Sequence, residues 1–137
     1  MVATREAMRA APAAVVTGAG CAGVLGGLAA WLTVRSQLAG EQIVVPPGAA
    51  RLGGRPVKGP LTAYAEADYI RGVALKATGG RPYGALPDGD PAGPMARDAS
   101  LLRASLFTSI LAFGVAAAGM AVGLVLIVAG RGLARAG

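Results

Sequence analysis

Two long apolar segments without charged side chains constrain the fold of this chain more than any other feature. They cover residues 10–34 and 104–130, which are 25 and 27 residues long, and an arginine flanks each of them at both ends. At about 1.5 Å per residue, a helix of either length reaches roughly 37–40 Å, whereas the hydrocarbon core of a bilayer is about 30 Å thick. A helix also pairs its own backbone groups where water is absent. The sequence therefore predicts an all-α membrane protein with two transmembrane helices in a hairpin.

The charge distribution indicates a lipid environment rather than a nucleic acid. Of the 137 residues, 54% are hydrophobic and only 4% are aromatic, and the net charge is +6. Every charged residue lies outside the two apolar segments, and several basic residues bracket them. Basic residues in such positions are typical of topology signals at a membrane. We therefore expect the lipid bilayer as a partner and no nucleic acid.

The apolar segments and the breakers between them divide the chain into five parts. In order, these are a cytoplasmic tail (1–9), transmembrane helix 1 (10–35), an extracytoplasmic loop (36–94), a long helix that includes transmembrane helix 2 (95–130) and a second cytoplasmic tail (131–137).

One short amphipathic helix is predicted within the loop, at about residues 62–78. Thr62 suits its N-cap, and the glycine pair 79–80 suits its C-terminal stop. Glu66 and Asp68 are expected to be solvated, because they lie off the apolar stripe. That stripe consists of Tyr64, Ala67, Ile70, Ala74 and Ala77. The Pro- and Gly-rich residues before the helix predict an extended linker with one short strand at Gln42–Val45.

Four residues at the ends of the apolar segments have the side chains expected of interface anchors, since aromatic and basic groups favour that region. They are Trp31, Arg35, Arg103 and Arg131. Basic residues close to the membrane are equally numerous in the tails and in the loop. The tails are much shorter, so their basic density is higher. We therefore predict a multi-pass protein of the plasma membrane with both termini in the cytoplasm.

A cleaved N-terminal signal is the alternative to a first transmembrane helix. The apolar segment is longer than the usual signal core of about 7–15 residues. A lipoprotein signal is a second alternative, because Ala19, Gly20 and Cys21 resemble the end of a lipobox. Gly18 replaces the usual leucine, however, and the residues after Cys21 stay apolar instead of forming a polar tether. The sequence favours an uncleaved anchor.

Small residues recur at four-residue steps in both apolar segments. Such spacing allows two helix backbones to approach closely in a membrane. The candidate helix-packing residues are Gly18, Ala22, Gly23, Gly26, Gly27, Gly114, Ala118, Gly119 and Gly123. The partner helix is open: it can be the other helix of the chain, a second copy or another membrane protein.

The chain offers few groups for catalysis. It contains no histidine, which excludes an imidazole base, a Ser-His-Asp triad and a histidine-ligated metal site. Apart from Cys21, neither apolar segment holds an ionisable residue, which disfavours a proton or ion pathway. We therefore expect no cofactor, no metal site and no catalytic residues.

Several stretches of the loop and of the second segment resemble a family of small actinobacterial two-pass membrane proteins. They are residues 59–67, residues 77–80 with Tyr83, and residues 99–109. The family commonly carries the automatic label "aromatic ring-opening dioxygenase". Ring-opening non-haem iron sites use histidine ligands, which this chain lacks, so the label is inconsistent with the sequence. The resemblance implies two spans and an extracytoplasmic region, without a defined biochemical role.

The sequence favours a non-catalytic accessory or assembly subunit of a larger membrane complex, with a respiratory complex as one candidate. Its partners would be other membrane subunits, or a second copy, bound through the transmembrane helices. The alternative is a membrane-anchored sensor or binding module whose loop binds a ligand or anionic lipid. The loop candidates for that role are Tyr64, Tyr69, Tyr83, Arg51, Arg55 and Lys58. An enzyme ranks third, since only Tyr, Arg and carboxylates would be present.

Overall fold

The computed structural model describes residues 2–136, which are largely helical. Three α-helices follow one another along the chain: α1 (Val2–Gly40), α2 (Pro60–Ala77) and α3 (Gly93–Ala136). A short 3-10 helix covers Tyr83–Ala85. Within the described range the only β-type pairing is an isolated antiparallel bridge between Val44 and Pro56, where the sequence predicted a short strand at Gln42–Val45.

Helices α1 and α3 are both long and apolar enough to cross a membrane. In the most apolar 18-residue window of each helix, only 17% of the residues are buried. A core helix of a water-soluble protein would have most of such a window buried, because exposed apolar surface is unfavourable in water. The chain therefore has two candidate membrane spans whose outer surfaces are apolar.

Both long helices extend beyond the predicted limits. Helix α1 begins at Val2 rather than near residue 10, includes Pro12 in its interior, and ends at Gly40 rather than near residue 35. An internal proline removes one backbone donor and crowds the carbonyl four residues earlier. Alanine, the best helix former, is abundant around Pro12 and opposes that effect. Helix α3 likewise continues to Ala136, and the terminal residues 1 and 137 of the predicted tails lie outside the described range.

The chain divides into two compact units. The first, here called the helix pair, consists of Met1–Thr33 and Gly114–Gly137. The second, here called the loop unit, is Val34–Phe113.

In the helix pair, α1 and α3 pack antiparallel through their smallest side chains. The buried positions recur every seven residues, at Ala13, Gly20 and Gly27 on α1 and at Ala116, Gly123 and Gly130 on α3. Position 20 contacts position 123, position 27 contacts position 116, and position 130 contacts position 13, so the numbers rise on one helix as they fall on the other. A seven-residue repeat keeps one face of a helix in contact with its partner over several turns.

The loop unit has its own core of small aliphatic side chains. Val45 and Val57 are almost completely buried, at 0% and 1% exposure. Backbone hydrogen bonds hold their segments together: Val45 N–H donates to the Arg55 carbonyl at 2.9 Å, and Val57 N–H donates to the Ile43 carbonyl at 2.8 Å. These bonds satisfy backbone groups that burial would otherwise leave unpaired.

Helix α2 starts two residues earlier than the sequence indicated, because Pro60 occupies its first turn. Gly59 is the N-cap, and Thr62, predicted as the cap, lies three residues into the helix. The Thr62 hydroxyl accepts the Gly59 N–H at 3.1 Å, which pairs a donor at the start of the helix. At the other end, Gly79 has φ +66° and the Gly80 N–H donates to the Leu75 carbonyl at 2.7 Å. This is the glycine stop that the sequence predicted.

The buried face of α2 differs from the predicted stripe. Ala67 is buried as expected, but Tyr64 is 47% exposed and Ala77 is also exposed. Glu66, predicted to be solvated, is only 9% exposed. The prediction was wrong because alanines occur all around this helix and mark no single face. The face is instead set by packing against the neighbouring segments of the loop unit.

Candidate functional site

The helix contact uses four of the nine predicted packing residues: Gly23, Gly27, Gly119 and Gly123. A Cβ atom added to Gly27 would lie 2.6 Å from the Ala116 carbonyl oxygen, and one added to Gly123 would lie 2.6 Å from the Gly20 carbonyl oxygen. The contact therefore has no room for a side chain at these positions. Gly20 and Gly130 also lie in this contact, and the four-residue spacing did not indicate either of them. The seven-residue spacing was the signal that would have found them.

The remaining five predicted residues lie away from this contact. A Cβ atom added to Gly18, Gly26 or Gly114 would meet no atom within 4 Å. Ala22 and Ala118 are exposed. At 100° per residue, these five residues lie about 120–180° around their helix from Gly20 or Gly123. Each helix thus has one small-residue face used within the chain and a second that is open, here called the outer face.

Large apolar side chains cover much of the remaining helix-pair surface. In α1, Val15 is 71% exposed and Leu25 is 66% exposed; in α3, Val125 is 67% and Val128 is 71% exposed. Of the predicted interface anchors in this unit, Trp31 is half-buried and Arg131 is exposed. An apolar surface of this extent requires lipid or protein contact.

A basic cavity lies in the loop unit between α2, the start of α3 and the turn that joins them. It has a volume of about 340 Å³, and its charged lining residues are Arg71, Arg81 and Arg103. We call it the arginine cavity. Arg81 pairs with Asp90 at 3.3 Å, and the Arg103 guanidinium lies 5.7 Å from the centre of the Phe107 ring. The buried Nε of Arg103 has no hydrogen-bond partner. The cavity therefore has a surplus of positive charge and an unused donor.

A turn beside this cavity depends on Asp90 and Gly89. Asp90 Oδ1 accepts the Ala92 N–H at 2.9 Å, and Gly89 has φ +79°. Among residues 2–136 no group of three or more His, Cys, Asp or Glu side chains is arranged to hold a metal ion. The carboxylate of Asp90 therefore serves the turn and the ion pair with Arg81.

A second cavity of the loop unit surrounds the side chain of Glu66. It has a volume of about 710 Å³ and lies between the end of α1, the middle of α2 and the third to fifth turns of α3. We call it the Glu66 groove. Its lining residues are Gln37, Leu38, Glu41, Ile43, Glu66, Ile70, Leu102, Ser105, Leu106 and Ser109. The walls are mostly aliphatic, both ionisable groups are carboxyls, and no Lys or Arg is among these residues.

The electrostatics of Glu66 are unusual for a residue in a helix. Its Oε2 is buried and has no hydrogen-bond partner. Burial raises the pKa of the Glu66 carboxyl above its ordinary value of 4.5, because desolvation disfavours the charged form. A buried acceptor without a partner costs roughly 1–3 kcal/mol, and a charged one costs more. Glu66 is thus a candidate functional group that sequence reasoning missed, and a lone glutamate on an Ala-rich helix gave no signal of it.

The six loop residues predicted to bind a ligand do not line a common cavity. Tyr83 lines the arginine cavity, while Tyr69 lies at a smaller apolar pocket with Met95 and Leu102. Tyr64 packs edge-to-face on Phe107, with 6.3 Å between ring centres. The basic residues Arg51, Arg55 and Lys58 are exposed on the linker before α2, and Arg35 is exposed near the end of α1. Of the predicted anchors, only Arg103 contributes to a cavity of this unit.

Comparison with known proteins adds no relative: no protein family, curated protein or solved structure matches the chain.

Proposed function

We propose that this chain is a two-pass plasma-membrane protein that acts as a non-catalytic accessory or assembly subunit of a larger membrane complex. In this proposal α1 and α3 form a transmembrane hairpin, both termini are cytoplasmic, and residues 36–94 lie outside the cell. The family resemblance of the sequence is consistent with this arrangement and stays a prediction. A respiratory complex is one candidate for the assembly.

The observation that carries the proposal is the outer face of each long helix. Gly18, Ala22 and Gly26 are four residues apart on α1, and Gly114 and Ala118 are four apart on α3. The contact within the chain leaves all five uncovered. In lipid, small residues at this spacing favour close packing with another helix, since backbones can then make dispersion contacts. An outer face on both helices suits a chain that packs between other membrane helices.

Filling the outer face should remove the partner while preserving the hairpin. The complex is purified through a tag on the full chain in native lipid discs. We expect its yield to fall at least tenfold in the double variant Gly18→Leu, Gly26→Leu. The measurement is the mass of the assembly, with a second tag on another copy to detect self-association.

Cys21→Leu is the matched control, because Cys21 is exposed in the same stretch of α1 but at the side of the outer face. It should leave the assembly intact. Recovery of wild type, double variant and control alike as a monomer would contradict the accessory role.

The arginine cavity favours a second candidate function, a membrane-anchored module that binds an anionic lipid headgroup. Guanidinium groups bind phosphate through paired hydrogen bonds, and Arg103 directly precedes the second apolar segment, where headgroups would lie. A basic residue near an anionic membrane surface contributes about 1 kcal/mol to binding.

Arg71→Gln should therefore weaken binding of phosphatidylglycerol about fivefold. Binding would be measured by lipid exchange into phosphatidylcholine discs that hold the full chain. Arg55→Gln removes the same charge from the exposed linker and should have a smaller effect, since charges beyond about 8 Å are screened at physiological salt. Equal effects of the two variants would exclude a specific headgroup site.

A further inference from the structure

We propose that the Glu66 groove binds a monocationic amine with an aliphatic body, and that the ammonium group of this ligand pairs with the Glu66 carboxylate. The inference concerns the loop unit alone and does not depend on the accessory role.

The first argument is the unpaired carboxyl group. Glu66 is nine-tenths buried and is one of the residues that line the groove, and its Oε2 has no hydrogen-bond partner. A buried carboxylate is stable only when a cation or several donors compensate it. The described residues that line the groove supply neither Lys nor Arg. The missing partner is therefore a positive charge from outside the chain.

The second argument is the set of acceptors around Glu66. Ser105 and Ser109 lie on α3, and the Ser109 hydroxyl donates to the Ser105 carbonyl at 3.3 Å, so the lone pairs of this hydroxyl remain available. An ammonium group has three donors and no acceptor. The Glu66 carboxylate and the two serine hydroxyls match that requirement.

The third argument is the shape and polarity of the groove. Its volume of about 710 Å³ is within the usual range for small-molecule sites, roughly 300–1,000 Å³. Leu38, Ile43, Ile70 and Leu106 provide aliphatic walls that suit an alkyl chain. A hydrated divalent cation would gain nothing from such walls. An alkylammonium ion matches both the negative charge of Glu66 and the aliphatic walls of the groove.

The test uses the full chain in phosphatidylglycerol discs and titrates it with n-hexylammonium chloride, with hexan-1-ol as the neutral analogue of equal length. We expect saturable binding of the amine by calorimetry at pH 7.5 and at least tenfold weaker binding of the alcohol. Glu66→Gln should weaken amine binding at least tenfold. Glu41→Gln, the matched control at the exposed rim, should weaken it less than threefold.

The pH dependence provides an independent measurement on the wild-type chain. Amine affinity should rise with pH as the Glu66 carboxyl ionises, while alcohol affinity stays constant. The other titratable group facing Glu66 is Glu41; α2 adds Ile70 and α3 adds leucines and serines, none of which titrates. The Glu41→Gln chain should therefore keep the same pH dependence.

Equal binding of amine and alcohol, or equal binding by wild type and Glu66→Gln, would overturn the proposal. Phosphatidylethanolamine in the discs identifies the source of the ammonium group. Competition by this lipid would weaken hexylammonium binding if a lipid headgroup is the occupant. Unchanged affinity would identify a soluble amine.

Discussion

Gly20→Ala is expected to destabilise the helix pair by about 1–3 kcal/mol, although alanine is the better helix former. The added Cβ atom would lie 2.6 Å from the Gly123 carbonyl oxygen and 2.8 Å from the Ile127 backbone nitrogen. Both are backbone atoms, so no change of side-chain rotamer can relieve the contact. The helices have to separate locally, and they lose dispersion contacts along the neighbouring turns.

Gly26→Ala is the matched control for this substitution. It lies on the same helix, and its Cβ atom would meet nothing within 4 Å. Replacement of a helical glycine by alanine at an unobstructed site stabilises a helix by roughly 0.5–1 kcal/mol. The two variants should thus differ by roughly 2–4 kcal/mol in opposite directions from the wild type.

Reversible unfolding in mixed micelles measures this difference, with the fluorescence of Trp31, the chain's one tryptophan, as the reporter. Equal unfolding free energies for Gly20→Ala and Gly26→Ala would mean that the helices do not pair through the seven-residue repeat. A loss confined to Gly26→Ala would assign the intrachain contact to the opposite face.

The class of the fold is readable from the sequence because length and apolarity are sufficient for it. Two uncharged segments of more than 20 residues can pair all their backbone groups as membrane-spanning helices, and the structure has a long apolar helix at each. The helix ends were less readable. Val2 and Gly40 extend α1 well beyond the apolar segment, because alanine continues a helix on either side of it without any need for burial.

Which face of a helix packs depends on its partner helix. The sequence of one helix alone therefore does not show the packing face. Helix α1 has small residues at four-residue steps (18, 22 and 26) and at seven-residue steps (13, 20 and 27). Either set allows close approach of two backbones. Only α3, with small residues at 116, 123 and 130, selects the seven-residue set for the contact within the chain. The four-residue set remains available to another helix.

Glu66 shows why the candidate ligand site could not be predicted. A glutamate on a helix is usually solvated, and nothing in the neighbouring residues indicates otherwise. Its burial results from segments distant in the sequence, since Gln37, Leu38, Ile43 and Leu106 all line the same groove. Patterns within one helix do not report such contacts. The arginine cavity has the same origin, because Arg71, Arg81 and Arg103 come from three different elements.

The stability of the loop unit should fall as the pH rises above 4.5, and Glu66→Gln should remove most of that fall. Burial raises the pKa of Glu66 above 4.5 in the folded state, whereas the unfolded chain has the ordinary value. Between these two pKa values the folded state binds more protons than the unfolded state. Stability therefore decreases with pH through this window and is lowest above the raised pKa.

Because stability falls with rising pH, removal of the Glu66 charge should stabilise the chain at neutral pH. Glu66→Gln should be more stable than the wild type in the absence of ligand, because a neutral amide costs less to bury than an unpaired carboxylate. At pH 4 the two chains should be nearly equal, since the wild-type carboxyl is then protonated. Unfolding of the full chain in discs, followed by far-UV circular dichroism from pH 4 to 8, measures both the sign and the crossover.

Glu41→Gln separates this effect from general acid titration. Glu41 is exposed and lines the same groove, so its removal should leave the decline with pH in place. A decline that persists in Glu66→Gln would assign the pH dependence to other carboxyls and would place Glu66 in water. Loss of the decline in Glu66→Gln alone would mean that one buried carboxyl destabilises the loop unit at neutral pH. A residue that reduces stability without a ligand is expected where a site is built for a charged partner, because the partner recovers the lost free energy on binding.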